Sequence, residues 1–150
     1  MKKILLVLLC MTGFVSMSFT TWESDFIKAK QIAKEKKYLI LLNFSGSDWC
    51  GPCMRMKKEI FEDKVFVSMA DSNLVLINAD FPRNKRNKLD KASIKQNEEL
   101  ADKYNPEGKF PFTLLLNAEG KIISSWDGLP NENAIKFTNR LKIICDGNKK

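Results

Sequence analysis

Two cysteines three positions apart, Cys50 and Cys53, are the residues of this chain best suited to chemistry. A thiolate attacks a disulfide sulfur through a mixed disulfide, and a second thiol one helical turn away can close a ring with the first. The pair sits in Trp49-Cys50-Gly51-Pro52-Cys53, preceded by the polar run Ser45-Gly46-Ser47-Asp48. Cysteines at this spacing also make half of a zinc site. Structural zinc needs four ligands, whereas this chain has no histidine and, past its first residues, one further cysteine, Cys145. A redox pair is therefore expected, with no metal and no other cofactor.

The elements that must position the pair can be read on either side of it. Tyr38 to Phe44 is a continuous apolar run of strand length, and Met56, Ile60 and Phe61 recur behind the pair at helical spacing. A buried strand running into a helix from about Cys50 to Phe61 puts both cysteines on the first helical turn. Unpaired N–H groups and the helix dipole favour negative charge there, so Cys50 should ionise more readily than a free thiol of pKa about 8.5. As the first cysteine of the motif, Cys50 is expected to be the more exposed one. Pro52 has no N–H to leave unpaired in a first turn, and Gly51 lets another chain approach closely. Trp49 is expected to form a flat apolar rim beside the sulfurs.

Around this centre the pattern alternates. Thr20 or Thr21 caps a first helix, with Glu23 completing a capping box and Trp22, Phe26, Ala29 and Ala33 on one face. Asp63 opens a short helix over Lys64 to Met69, and Leu74 to Ala79 is a second buried strand, parallel to the first. Residues 80–93 carry Arg83, Lys85, Arg86, Lys88 and Lys91 with few apolar residues, which reads as a solvated loop, with partner docking as the other possibility. Ser93 and Gln96 form a second capping box for a helix to Tyr104. Phe112 to Asn117 and Lys121 to Trp126 make an antiparallel pair, and Asn131 caps a last helix with Phe137, Leu141 and Ile144 on one face. The expected class is α/β, one domain over residues 19–150, with a central mixed four-stranded β-sheet and helices on both faces.

Met1-Lys2-Lys3 followed by Ile4 to Met11 has the charged start and apolar centre of a signal peptide, and the small residues Ser16 and Ser18 place cleavage after Ser18. Cys10 is preceded by bulky Leu9, which argues against lipid attachment, so the mature chain is expected in a bacterial periplasm. The odd number of cysteines left after export argues against a multi-disulfide scaffold, and Cys145 reads as a small core residue. The formal net charge of +7 implies a soluble surface. No aromatic-and-basic motif accompanies it, so no nucleic-acid partner is expected.

Trp49-Cys50-Gly51-Pro52-Cys53 after a hydrophobic strand resembles the active site of the thioredoxin family, and the flanking Phe44 to Asp48 and Met54 to Lys57 are similar to secreted bacterial thioredoxin-like thiol reductases. The resemblance extends over roughly residues 22–145. It implies Cys50 as nucleophile, Cys53 as resolving thiol, and a cis bond before Pro111, with Phe110 facing the disulfide and contacting substrates. Any X–Pro bond is cis in only about 5% of cases, so that expectation rests on the resemblance. Asn43 departs from the family, where a buried aspartate on the central strand accepts the proton of the second cysteine. Proton removal from Cys53 then falls to water or to Asp48. The implied activity is reduction of disulfides in exported proteins, with a membrane thiol reductant recharging the pair. A disulfide oxidase or isomerase, and a non-catalytic binding module with a structural disulfide, are the alternatives.

Overall fold

The computed structural model describes residues 21–149. The expected leader, its cleavage after Ser18, Cys10 and the cap Thr20 lie outside the described residues. Element order is β1 (Trp22–Glu23), α1 (Phe26–Lys36), β2 (Leu39–Ser45), α2 (Gly51–Met56) running into a π-helical turn (Lys57–Phe61), α3 (Lys64–Asp71), β3 (Leu74–Asp80), a 3-10 turn (Lys85–Asn87), α4 (Lys91–Tyr104), β4 (Phe112–Leu116), β5 (Ile122–Asp127) and α5 (Ala134–Gly147). The strands order as β1-β3-β2-β4-β5. β1, β3 and β2 run parallel, while β4 is antiparallel to β2 and β5 to β4.

β2 is buried along its whole length, as its unbroken apolar run requires of a central strand. Successive side chains point to opposite faces. Leu39 and Leu41 therefore join Met56, Ile60, Phe66, Phe137 and Leu141 in one core layer. Ile40, Leu42 and Phe44 join Ala29, Ala33, Leu100 and Tyr104 in the other. The same parity puts Asn43 on the face of α2. In the turn after α2 the Glu62 N–H reaches back to the Lys57 carbonyl at 2.9 Å, five residues earlier. That wider turn keeps both Ile60 and Phe61 buried in succession.

The sheet has a fifth strand where four were expected. Trp22 and Glu23 were read as helical and instead pair with Leu76 and Ile77 of β3. The Trp22 ring packs edge-on against Phe61 at 5.3 Å, and this tertiary contact outweighs the local helical spacing. Asp25 takes the cap of α1, accepting from the Ile27 and Lys28 N–H groups at 2.7 and 3.0 Å.

The second capping box also differs. Asp90 caps α4 through Ser93, leaving Gln96 to reach the start of α1. Its Oε1 accepts from the Phe26 N–H and its Nε2 donates to the Ser24 carbonyl, both at 2.9 Å. The last helix starts two residues later than read, with Asn133 as cap. Asp63 caps α3 as expected. Among the described residues no helix is long and apolar enough to cross a membrane.

On α5, Phe137 and Leu141 are fully buried and Cys145, at 1% exposed, is the small core residue expected, with half-buried Ile144 packed against the same cluster. Burial pushes the Cys145 thiol up to about 11. Above pH 9 the unfolded chain loses this proton before the folded chain does, so stability should fall as pH rises from about 9 towards about 11. Replacing Cys145 with Ala should flatten that part of a urea-stability profile. An unchanged slope would show that the thiol is not the group responsible.

Candidate active site

Cys50 ends the loop from β2 and is the N-cap of α2, with extended backbone. Its Sγ accepts the Cys53 N–H at 3.3 Å, the bond that a serine or aspartate oxygen makes at an ordinary cap. Pro52 falls within the first turn, where no N–H is needed. Cys50 and Cys53 are joined in a disulfide, their Cα atoms 5.2 Å apart. Both are 5% exposed, so Cys50 is not the more open of the two in this oxidised form. As a cap its sulfur folds back over the helix start instead of pointing outward. Gly51 is exposed, and a Cβ added there would meet nothing within 4 Å, so the fold's own packing does not demand glycine at this place.

Trp49 is held on several sides. Its Nε1 donates to the Phe81 carbonyl at 2.7 Å, and its ring meets Phe110 edge-on at 5.3 Å. The Arg83 guanidinium lies 3.9 Å from the ring centre. The Phe110–Pro111 peptide is cis. Pro111 is buried at the start of β4, its carbonyl accepting from the Gly128 N–H at 2.8 Å. The Phe110 ring packs edge-on against Trp49 and Phe81.

Behind Cys53 lies a cleft of about 420 Å³ lined by Cys53, Asn43, Ser45, Asn78 and Asp80 among others. Asn43 and Ser45 of β2 stand opposite Asn78 and Asp80 of β3 in register. Thr113 Oγ1 donates to Asn43 Oδ1 at 3.0 Å, and Asn43 Nδ2 donates to Asn78 Oδ1 at 2.9 Å. Ser45 Oγ lies 3.1 Å from both Asn78 Oδ1 and Asp80 Oδ1. Asn43 thus bridges strands through its amide, a role in which it exchanges no proton. The carboxylate lining this cleft is Asp80.

Asp48 points into the next loop. Its Oδ1 accepts from the Arg83 N–H at 2.9 Å, and its Oδ2 from the Asn84 N–H at 2.9 Å and the Asn87 Nδ2 at 3.0 Å. These donors, the Arg83 N–H foremost and then the Asn87 side chain, hold its carboxyl below the usual range. Such an acceptor is a weak base, and it serves to anchor the loop.

Phe81, Arg83, Asn78 and Asp80 were not anticipated at the site. A signal for the last two was present: Asn43-x-Ser45 and Asn78-x-Asp80 place polar residues two apart at the ends of otherwise apolar strands, hence on one face. Nothing local marks Phe81 or Arg83 as a partner of Trp49.

A Cβ on Gly46 would lie 2.2 Å from Trp49 Cε2. Gly46→Ala should displace the indole, break its bond to Phe81 and cost on the order of 1–3 kcal/mol. Urea denaturation and the near-ultraviolet dichroism of the tryptophans check this. Full stability with an unaltered spectrum would mean that the ring is not seated against Gly46.

The chain is 34% identical over 103 residues to the disulfide bond reductase DsbH of Chlamydia pneumoniae, covering 69% of this chain and 60% of that protein. It is 31% identical over 125 residues to the thioredoxin-related protein DsbJ of the same organism, covering 83% of this chain and 35% of that one. It therefore spans less than two thirds of the length of either curated relative. A solved DsbH oxidoreductase superposes with a TM-score of 0.78 at 26% identity, covering 92% of both chains. A thioredoxin from Thermus thermophilus, 14% identical with a TM-score of 0.65 over 87% of this chain and 91% of its own, shares the fold. A cysteine pair at a helix start occurs in many settings. Here a family model described as thioredoxin-like also runs through residues 21–118, from β1 past the end of β4, and the chain belongs to that family.

Proposed function

We propose that this protein is a thiol:disulfide oxidoreductase that reduces disulfides in exported proteins. The observation that carries the reading is Cys50 at the cap of α2, its sulfur receiving the Cys53 N–H. In the reduced protein the same N–H, with the helix dipole behind it, stabilises a thiolate on Cys50. Similarity to a disulfide bond reductase and to a solved oxidoreductase of the same name supports the reaction class.

The Cys50 thiolate attacks one sulfur of the client disulfide. A bond forms between Cys50 and that sulfur, and the other client sulfur leaves as a thiolate and takes up a proton. Cys53 then gives up its proton to solvent water in the cleft it shares with Asn43 and Asp80, and its thiolate attacks Cys50 Sγ. The mixed disulfide breaks and the client's second thiol is released. Two electrons have passed from the cysteine pair to the client, and Cys50–Cys53 is left closed, the state described here. A membrane-bound dithiol returns the electrons. Trp49, Gly51, Pro52, Phe110 and Pro111 form the client-facing surround in this reading. Residues 1–18 act as the export signal, cleaved after Ser18, and no lipid is attached at Cys10.

Equilibration of the purified protein with a glutathione buffer tests the direction. A potential near the roughly −270 mV of thioredoxin is expected, and one at or above the roughly −180 mV of disulfide isomerase would replace a reductase with an oxidant or isomerase. Cys53→Ser should accumulate a covalent Cys50–client complex that dissolves on adding dithiothreitol. No complex, together with no reduction of a disulfide by the unaltered protein, would leave only a binding module.

A further inference from the structure

The loop after β3 carries more charge than the fold uses. Arg83, Lys85, Arg86 and Lys88 are all exposed, and Lys91 follows at the start of α4. Among the described residues none of these five side-chain charges has a carboxylate within 4 Å, although lysines and arginines elsewhere in the chain do. Like charges without ion-pair partners on one short segment repel one another.

This loop is nevertheless held in place. Asp48 ties down the Arg83 and Asn84 N–H groups and the Asn87 side chain. Asn84 caps the turn inside the loop, accepting the Arg86 N–H at 3.0 Å. Arg83 is stacked on Trp49, the residue next to Cys50. The Asp48 and Trp49 tethers thus lead back to the segment that carries the redox pair, so the cations are presented at its rim with little entropy left to lose. Between the loop and α4 lies a groove of about 340 Å³ lined by apolar Phe81, Leu89 and Ile94, by the cations of Arg83, Lys85 and Lys88, and by the carboxylates of Asp80 and Glu98, so cations outnumber acids in it by three to two.

We propose that this loop and groove are the docking surface for the client polypeptide. They fit a segment that carries acidic side chains around a bulky apolar residue and lies next to the disulfide to be reduced. The inference rests on the proposed exchange reaction and specifies its substrate. Charge complementarity would act mainly on encounter, raising the association rate at low salt and fading as the Debye length shrinks.

The test uses the reduced full-length protein and three disulfides: a peptide with glutamates and one leucine flanking its disulfide, the same peptide with lysines for the glutamates, and neutral hydroxyethyl disulfide. The acidic peptide should be reduced about tenfold faster than the basic one at low ionic strength, with the ratio approaching unity near about 0.5 M salt. The double variant Lys85→Glu/Lys88→Glu should erase or invert that ratio. The same reversal at Lys34 and Lys121, at the opposite end of the sheet, should preserve it, which separates the loop from net charge. Equal rates for the two peptides, or a ratio that survives reversal at Lys85 and Lys88, would overturn the docking surface while hydroxyethyl disulfide is still reduced. Inertness towards all three disulfides would remove the exchange reaction itself and the docking surface with it.

Discussion

A sulfur atom stands where a helix cap usually has an oxygen. The Cys53 N–H must be satisfied at the start of α2, and Cys50 Sγ satisfies it at 3.3 Å. That bond places the two sulfurs within reach of each other and aims the positive end of the helix at one of them. It is made because β2 ends where it does. β2 is fixed between β3 and β4 and buried on both faces, so its C-terminal end has little freedom to move. The short connection from Ser45 to Cys50 is closed by Gly46, whose carbonyl accepts the Cys50 N–H at 2.9 Å.

The polar end of the central sheet follows from the same burial. Four polar side chains, Asn43, Ser45, Asn78 and Asp80, occupy one face at the carboxyl ends of β2 and β3, beside Cys53. Buried polar groups are costly unless paired, and the buried Asn43 and Ser45 pair with exposed Asn78, half-buried Asp80 and buried Thr113. An amide suits Asn43 because it must accept from Thr113 and donate to Asn78 at once, which an ionised carboxylate cannot do. The carboxyl group of this cleft therefore belongs to Asp80, at the end of β3, and not to the central strand.

Much of the fold was legible because strands and helices here obey their own periods. The unbroken apolar runs gave β2 and β3, and alternating core faces followed from strand parity. The errors fell at helix starts. Thr20 or Thr21, Ser93 and Asn131 had the residue types of caps, with Glu23 and Gln96 as box partners, yet Asp25, Asp90 and Asn133 hold the cap positions. Spacing admits several candidates, and the choice goes to whichever leaves the neighbouring chain free for a distant partner. Glu23 pairs with β3, and Gln96 reaches back some seventy residues to Ser24 and Phe26.

The order of residues alone set the cysteine pair at a strand-to-helix junction, the proline in its first turn and the apolar strand behind it. These are short-range facts, settled by neighbours a few positions apart. Folding in three dimensions settled who shares space with the pair: Arg83 and Phe81 against Trp49, the loop amides on Asp48, Asp80 at the cleft and Trp22 on Phe61. Those contacts join residues some thirty to forty positions apart. They depend on the parallel register of β2 with β3, and spacing along the chain carries no record of which loop that register will bring to the cysteines.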